Sequence, residues 1–247
     1  MTDILVIIPM YNECENAEKI LRKVFSLPGG FHVLVIDDHS PDGTAAIVKQ
    51  LQKEFPEQLH LMERAGKLGL GTAYIAGFHW ALAHEYEYII EMDADFSHNP
   101  DDLPRLHDAC AGGADVVIGS RYSNGVSVVN WPLGRVLMSY FASKYVRLAT
   151  GMNVHDTTAG FVCYRRRVLQ HIPLGRIRMK GYGFQIEMKY LAYKLGFTIK
   201  EVPIIFIDRK EGSSKMSGGI FNEALTGVLK LRFRRVKQSS GASALNA

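Results

Sequence analysis

Three cysteines in 247 residues (Cys14, Cys110 and Cys163) stand far apart, in no Cys-x-x-Cys or other ligand spacing. A disulfide framework and a cysteine metal site are therefore not expected, and reduced thiols are. The sequence has no Asn-x-Ser/Thr acceptor, no apolar run near the ~18 residues of a membrane span, and no leading signal peptide. These absences predict a cytoplasmic protein. Aromatic and basic residues form no recognisable nucleic-acid motif, so nucleic acid is not an expected partner. Acid is scarce in one half only. Residues 1–120 hold 8 Lys+Arg against 19 Asp+Glu, a balance of −11, whereas residues 121–247 hold 21 against 6, a balance of +15. This polarity predicts a metal-binding first half and an anion-receiving second half.

At 47% apolar, the chain is long enough for one large α/β domain. Apolar runs at Ile4–Ile8, Val33–Ile36, Leu59–Met62 and Asp115–Ile118 read as strands, and so does Tyr88–Asp95, the fourth strand in chain order, which carries two carboxylates. Helical spacing over Asn16–Leu27, Gly43–Phe55 and Gly71–His84 separates them. Strands apolar on both faces, alternating with helices, predict a mainly parallel sheet covered on both sides. The small polar tail 238–247 is expected to be flexible.

Three polar loops follow those strands, and parallel topology gathers them at one sheet edge. The first contains Tyr11, whose ring can stack on a base; the second contains Asp38, which can accept from a ring N–H or a ribose hydroxyl. The third holds Asp93 and Asp95. Read as a continuation of the strand, their i, i+2 spacing presents both carboxylates to one side. Hard oxygen ligands there suit Mg2+ or Mn2+ bridging to phosphate. Asp42 and Asn12 read as helix-start or capping residues. The glycine-rich Gly66–Gly71 stretch fails two familiar motifs. Tyr74 stands where a dinucleotide fingerprint from Gly69 needs its third glycine, and Lys67 is followed by Leu68 where a P-loop needs Ser or Thr. This loop is expected beside a sugar nucleotide, with Arg64 and Lys67 either solvated or neighbouring its phosphates.

Pro9-Met10-Tyr11-Asn12-Glu13, Ile36-Asp37-Asp38-His39-Ser40-Pro41-Asp42-Gly43-Thr44 and Met92-Asp93-Ala94-Asp95-Phe96-Ser97-His98 resemble the signature loops of family 2 glycosyltransferases. Within that family the likeness is to polyprenyl-phosphate (dolichyl-phosphate) mannose synthases. It continues through Gly119–Tyr122, Asp156–Phe161, Gly181–Glu187, Val202–Ile204 and Asp208–Lys215. The resemblance implies a GT-A fold over residues 1–237, with a Rossmann-like nucleotide half (about 1–120) and an acceptor half (about 121–237). It implies inverting transfer of mannose from GDP-mannose to a polyprenyl (dolichyl) phosphate. Pro9, Tyr11 and Glu13 would embrace the guanine, and Ile36 and Asp38 would line the nucleoside. Asp93, the Ala94 backbone and Asp95 would meet metal and diphosphate, while Arg209 and Lys215 clamp the phosphates. Some relatives have Gln where this chain has Ser97, a weaker metal ligand.

Residues 131–150 read as an amphipathic helix on which Arg135 and Ser139, at i and i+4, share a face. With Arg121 they can hold one phosphate by charge-assisted hydrogen bonds, as the same Arg/Ser pair in relatives implies. Asp95, Arg121, Arg135 and Arg209 are the expected catalytic set. Asp156 either orients a hydroxyl or caps a turn; His39, His98 and His155 read as loop hydrogen-bonders. Residues 220–235, apolar with a basic end, suit either a helix on an anionic membrane surface or one packed on the domain. A membrane-embedded partner is a third route to the lipid. Competing functions are a transferase using UDP-glucose or another donor, a sugar-acceptor synthase needing a carboxylate base, and a non-catalytic sugar-nucleotide sensor.

Overall fold

The computed structural model describes residues 3–208 and 227–232. In chain order the elements are β1 (Ile4–Met10), α1 (Cys14–Phe25), β2 (His32–Asp37), α2 (Thr44–Leu51), β3 (Leu59–Glu63), α3 (Leu70–Ala83) and β4 (Tyr88–Glu91). Then follow α4 (Leu103–Ala111), β5 (Val116–Ser120), β6 (Val128–Val129), α5 (Leu133–Thr150) and β7 (Val162–Arg165). The described chain closes with α6 (Arg166–His171), α7 (Tyr182–Lys194), β8 (Ile199–Pro203) and β9 (Phe206–Ile207), before a helical stretch at 227–232.

Seven strands form one sheet in the order β3-β2-β1-β4-β7-β5-β8. Every pairing is parallel except those of β7, which runs antiparallel to β4 and β5. The mainly parallel sheet expected from the apolar runs is therefore present, with one reversed strand. Val6 and Ile8 of β1 pack with α1, α2 and α4, while Leu5 and Ile7 pack with α3 and α7. Alternation along a strand that is apolar throughout thus fills a core on each face. The α3 layer lies very close: a Cβ at Gly77 would come within 2.9 Å of Ile7 and 3.0 Å of Ile36. Only glycine permits that approach.

β7 matters for function because its first residue, Val162, pairs with Glu91 and Ile118 near the ends of β4 and β5. The loop leading into β7, residues 156–161, consequently lies at the same edge as the loops leaving β1, β2, β4 and β5. Residues beyond 120 also supply β7 and β8, so the two expected halves share one sheet.

The structure corrects several boundaries. Helix α1 starts at Cys14 rather than Asn16, and α2 ends at Leu51 rather than Phe55. More consequentially, β4 ends at Glu91, so strand alternation does not reach Asp93 and Asp95. Those carboxylates sit in a loop whose backbone turns at Phe96, φ 59°. The expected tail 238–247, most of 220–235, and both Arg209 and Lys215 lie outside the described residues.

Candidate active site

Hydrogen bonds within the chain hold the loops that leave β1 and β2. Asp37, at the end of β2, accepts from the Ser40 N–H at 2.9 Å and the Ser40 hydroxyl at 2.6 Å. Ser40 Oγ in turn accepts from the Asn12 N–H at 3.1 Å, and Asn12 has φ 56°. Asp42 accepts from the Thr44 N–H and hydroxyl through Oδ1 and from the Cys14 N–H through Oδ2. It therefore joins the starts of α1 and α2, which is more than the single cap expected. Burial alone would raise its carboxyl, but these hydrogen bonds outweigh burial and hold it at about 2. Asn12 takes the left-handed turn ahead of the helix instead of capping it.

Asp38 is placed at this edge but is already engaged. Arg64 donates Nε–H to Oδ1 at 2.6 Å and Nη2–H to Oδ2 at 2.7 Å, a bidentate fork. Arg64 also reaches the Thr72 hydroxyl at 2.8 Å, so it is a fixed counter-ion rather than a solvated charge. Lys67 lies 4.6 Å over the Tyr11 ring. The glycine-rich loop thereby borders the same cleft. Pro9 and Ile36 are paired neighbours on β1 and β2, and Glu13 immediately precedes α1, its Oε2 accepting from Asn16 at 3.1 Å.

In the third loop, Asp95 Oδ1 accepts from the Ser97 N–H at 3.0 Å, and the Asp93 N–H donates to His98 Nδ1 at 3.1 Å. That bond requires His98 Nδ1 to be unprotonated, and burial lowers the imidazole's pKa accordingly. His98 is thus a loop hydrogen-bonder, as its position suggested. The donor set fits a hard divalent cation: two carboxylates flank Ala94, and Ser97 Oγ is buried with no hydrogen-bond partner among the described residues. No cluster of three or more His, Cys, Asp or Glu suited to a metal occurs among the described residues. A cation here would need oxygens from substrate or water beyond these side chains.

On the far side of this edge, Arg121 leaves β5 and is buried against Asp156. Its Nε and Nη2 donate to the two carboxylate oxygens at 2.6 Å each, and Nη2 also donates to Thr158 Oγ1 at 2.8 Å. Burial alone would raise the Asp156 carboxyl, but the Arg121 charge and its hydrogen bonds hold it below the usual range. Asp156 is therefore the counter-ion of Arg121, a role that neither alternative drawn from the sequence included. Arg135 donates to Asp208 at 2.9 Å and lies 4.0 Å from the Trp131 ring centroid, with Arg121 5.4 Å from the same ring. The expected trio is brought together around Trp131 and Tyr122. Burial raises the Tyr122 phenol, and Arg121 and Ser139 oppose that shift.

Between the two sides lies a buried polar network. Gln185 of α7 donates Nε2–H to Glu91 Oε2 at 2.8 Å. Lys189 donates to the Ala159 carbonyl at 2.6 Å and to Gln185 O and Oε1 at 3.3 Å each. Burial raises the Glu91 carboxyl to about 8 and lowers the Lys189 ammonium to about 8. Sequence alone left Arg64 as a solvated charge or phosphate neighbour rather than the partner of Asp38, and gave no role to Trp131, Glu91 or Lys189. The signal for the last two was present: a lone acid inside the apolar run Tyr88–Met92, and a lone base between Met188 and Tyr190.

Comparison with known proteins follows the same lines. The profile of the family described as "Glycosyl transferase family 2" matches residues 5–173. The polyprenol monophosphomannose synthase of Mycolicibacterium smegmatis is 47% identical over 230 residues, covering 93% of this chain and 87% of its own. The undecaprenyl-phosphate mannosyltransferase of Micrococcus luteus is 46% identical over 227 residues, covering 92% and 93%. Among solved structures, glucosyl-3-phosphoglycerate synthase from Mycobacterium tuberculosis, in complex with Mn2+, UDP and phosphoglyceric acid, superposes with TM-score 0.67 at 18% identity. That alignment covers 93% of this chain and 78% of the other. The shared architecture is the GT-A fold.

Proposed function

The chain belongs to glycosyl transferase family 2, and from that premise we propose that it transfers mannose from GDP-mannose to a polyprenyl phosphate with inversion at the anomeric carbon. The observation that carries this reading is one sheet edge with carboxylates on one side and two arginines around an indole on the other. The names of the two relatives supply the sugar and the lipid class.

Pro9, Tyr11 and Glu13 take the base, Ile36 and Asp38 the nucleoside, with Asp38 oriented by Arg64. Asp93 and Asp95 would hold Mg2+ or Mn2+, assisted by Ser97; when bound, the cation neutralises the departing diphosphate. Solved glucosyl-3-phosphoglycerate synthase complexes contain Mn2+ or Mg2+ with UDP, which supports use of a divalent ion. Arg209 and Lys215, outside the described residues, are assigned to the same phosphates on the resemblance alone. The acceptor phosphate is anionic near neutral pH and attacks without a strong general base. Arg121, Arg135 and Ser139 therefore act by aiming it at the sugar.

The lipid reaches the site at a membrane surface. No helix among the described residues is long and apolar enough to cross a membrane. Leu133, Leu137, Phe141, Lys144 and Leu148 of α5 follow helical spacing and form one outward stripe, with Leu133 72%, Phe141 58% and Leu148 82% exposed. No Asp or Glu occurs between Asp115 and Asp156, whereas Arg121, Arg135, Lys144 and Arg147 do. An exposed apolar stripe in an acid-free, basic segment fits an anionic bilayer surface. The described part of 220–235 behaves otherwise: Val228 and Leu231 are buried with Val146, Ile186 and Tyr190.

Purified protein with magnesium or manganese, labelled GDP-mannose and polyprenyl phosphate is expected to yield labelled lipid, and Asp95→Ala to yield none. Equal transfer from UDP-glucose would overturn the donor assignment. Flotation with anionic vesicles is expected to carry the protein, and Phe141→Glu to weaken it; unchanged flotation would remove α5 from the membrane contact.

A further inference from the structure

Glu91, Gln185 and Lys189 lie beneath the proposed substrate cleft and have no role in the transfer described above, yet all three are 3% exposed or less. A buried acid and a buried base persist only where bonding compensates for their desolvation. Here the compensation has a direction. Glu91 is the last residue of β4, two before Asp93. Ala159 stands three residues after Asp156, the partner of Arg121. The Gln185 side-chain amide faces Glu91 with its N–H and Lys189 with its oxygen, so a single amide joins the acid to the base. All three Lys189 donors are used, the shortest on the Ala159 carbonyl. The chain of contacts therefore runs from the root of the carboxylate loop, through one turn of α7, to the loop that fixes Arg121.

We propose that Gln185 and Lys189 are positioning residues: a buried strut that sets the Asp93–Asp95 loop and the Arg121–Asp156 pair at a fixed separation. The idea rests on the transfer reaction proposed above. Each substrate site is complete without the strut, but in-line attack needs both held in register, and small misplacements cost rate steeply. Helix α7 is suited to the task. It packs through Phe184 against Gly71 of α3, where an added Cβ would approach that ring to 2.9 Å, so its position is set independently of either loop.

The test compares Lys189→Met, Glu91→Gln and the double variant. In Lys189→Met, amide hydrogen exchange is expected to quicken about tenfold in residues 92–98 and 156–160 together. Turnover of the folded protein should fall about 10²-fold, with the KM for each substrate much less affected. Adding Glu91→Gln removes the buried acid that has lost its cationic neighbour, so the double variant should recover thermal stability without recovering turnover. Faster exchange confined to α7, unchanged turnover at a temperature where Lys189→Met is folded, or a double variant with restored turnover would each overturn the strut. The exchange arm requires neither substrate, so it decides the strut even if donor or acceptor differ from those proposed.

Discussion

Arg121 and Arg135 flank the same Trp131 ring, yet they are held in different ways. The side chains of Arg121 and Asp156 are 6% and 0% exposed, whereas those of Arg135 and Asp208 are 27% and 28% exposed. The first pair is bidentate, reinforced by a backbone N–H from Arg121 and by Thr158. The second is, among the described residues, one hydrogen bond to a residue at their edge. A buried, doubly bonded guanidinium is immobile and already neutralised in part. A half-exposed one can exchange its carboxylate for a phosphate at little cost. One arginine is therefore part of the frame, and the other is free to change partners.

Loss of Asp156 should show the contrast most strongly. Asp156→Ala leaves a buried cation unpaired and is expected to cost about 3–5 kcal/mol in denaturant unfolding, while Asp208→Ala costs less than about 1 kcal/mol. Similar costs for the two would erase the distinction. Next in size, Arg121→Ala should lose both transfer and stability, so it does not by itself isolate acceptor binding. Combined with Asp156→Ala it should regain much of the stability and none of the transfer.

Arg135→Ala should raise the acceptor KM by about tenfold through one lost charge-assisted bond, with little change in unfolding. A matching loss of stability would place Arg135 in the frame after all. Asp208→Ala is expected to lower that KM slightly, by less than about fivefold.

The smallest effect concerns pH, and it separates the arginine pairs from the opposite end of the sheet. There His32 Nδ1 and His60 Nε2 share the Tyr86 hydroxyl at 2.8 and 3.3 Å. Burial lowers both histidines below 6.5, so their contribution to stability is present above that pH and is lost as pH falls through their folded values. Asp156, lowered from 3.8, keeps its contribution until far more acidic conditions. The melting temperature should therefore decline modestly between pH 7 and 5.5, and Gln at positions 32 and 60 should flatten that decline. An unchanged slope in the double Gln variant would assign it elsewhere.

Much of the fold was legible because parallel strands buried on both faces leave unbroken apolar runs. The loops after Ile8, Ile36 and Ile90 could be placed at one edge from topology alone. What escaped was long-range partnership. Arg64 meets Asp38 across 26 residues and Arg121 meets Asp156 across 35, and no local pattern announces either pairing. Reversed β7 escaped because four residues carry no sign of direction. Helix α5 shows a different limit. Its apolar spacing was plain, but periodicity does not say which side faces inward, and the buried positions are Ser143, Val146 and Thr150. The carboxylate loop was placed correctly for the wrong local reason, since β4 stops before it.

The indole between the two arginines has a practical consequence. The chain contains only two tryptophans, and the other, Trp80, stacks on His84 at 3.7 Å with His60 and Tyr86 nearby. A Trp80→Phe variant leaves Trp131 as a lone fluorophore with guanidinium groups 4.0 and 5.4 Å from its ring. Its emission should respond when either cation shifts, giving an unlabelled optical titration of arrivals at that side of the cleft.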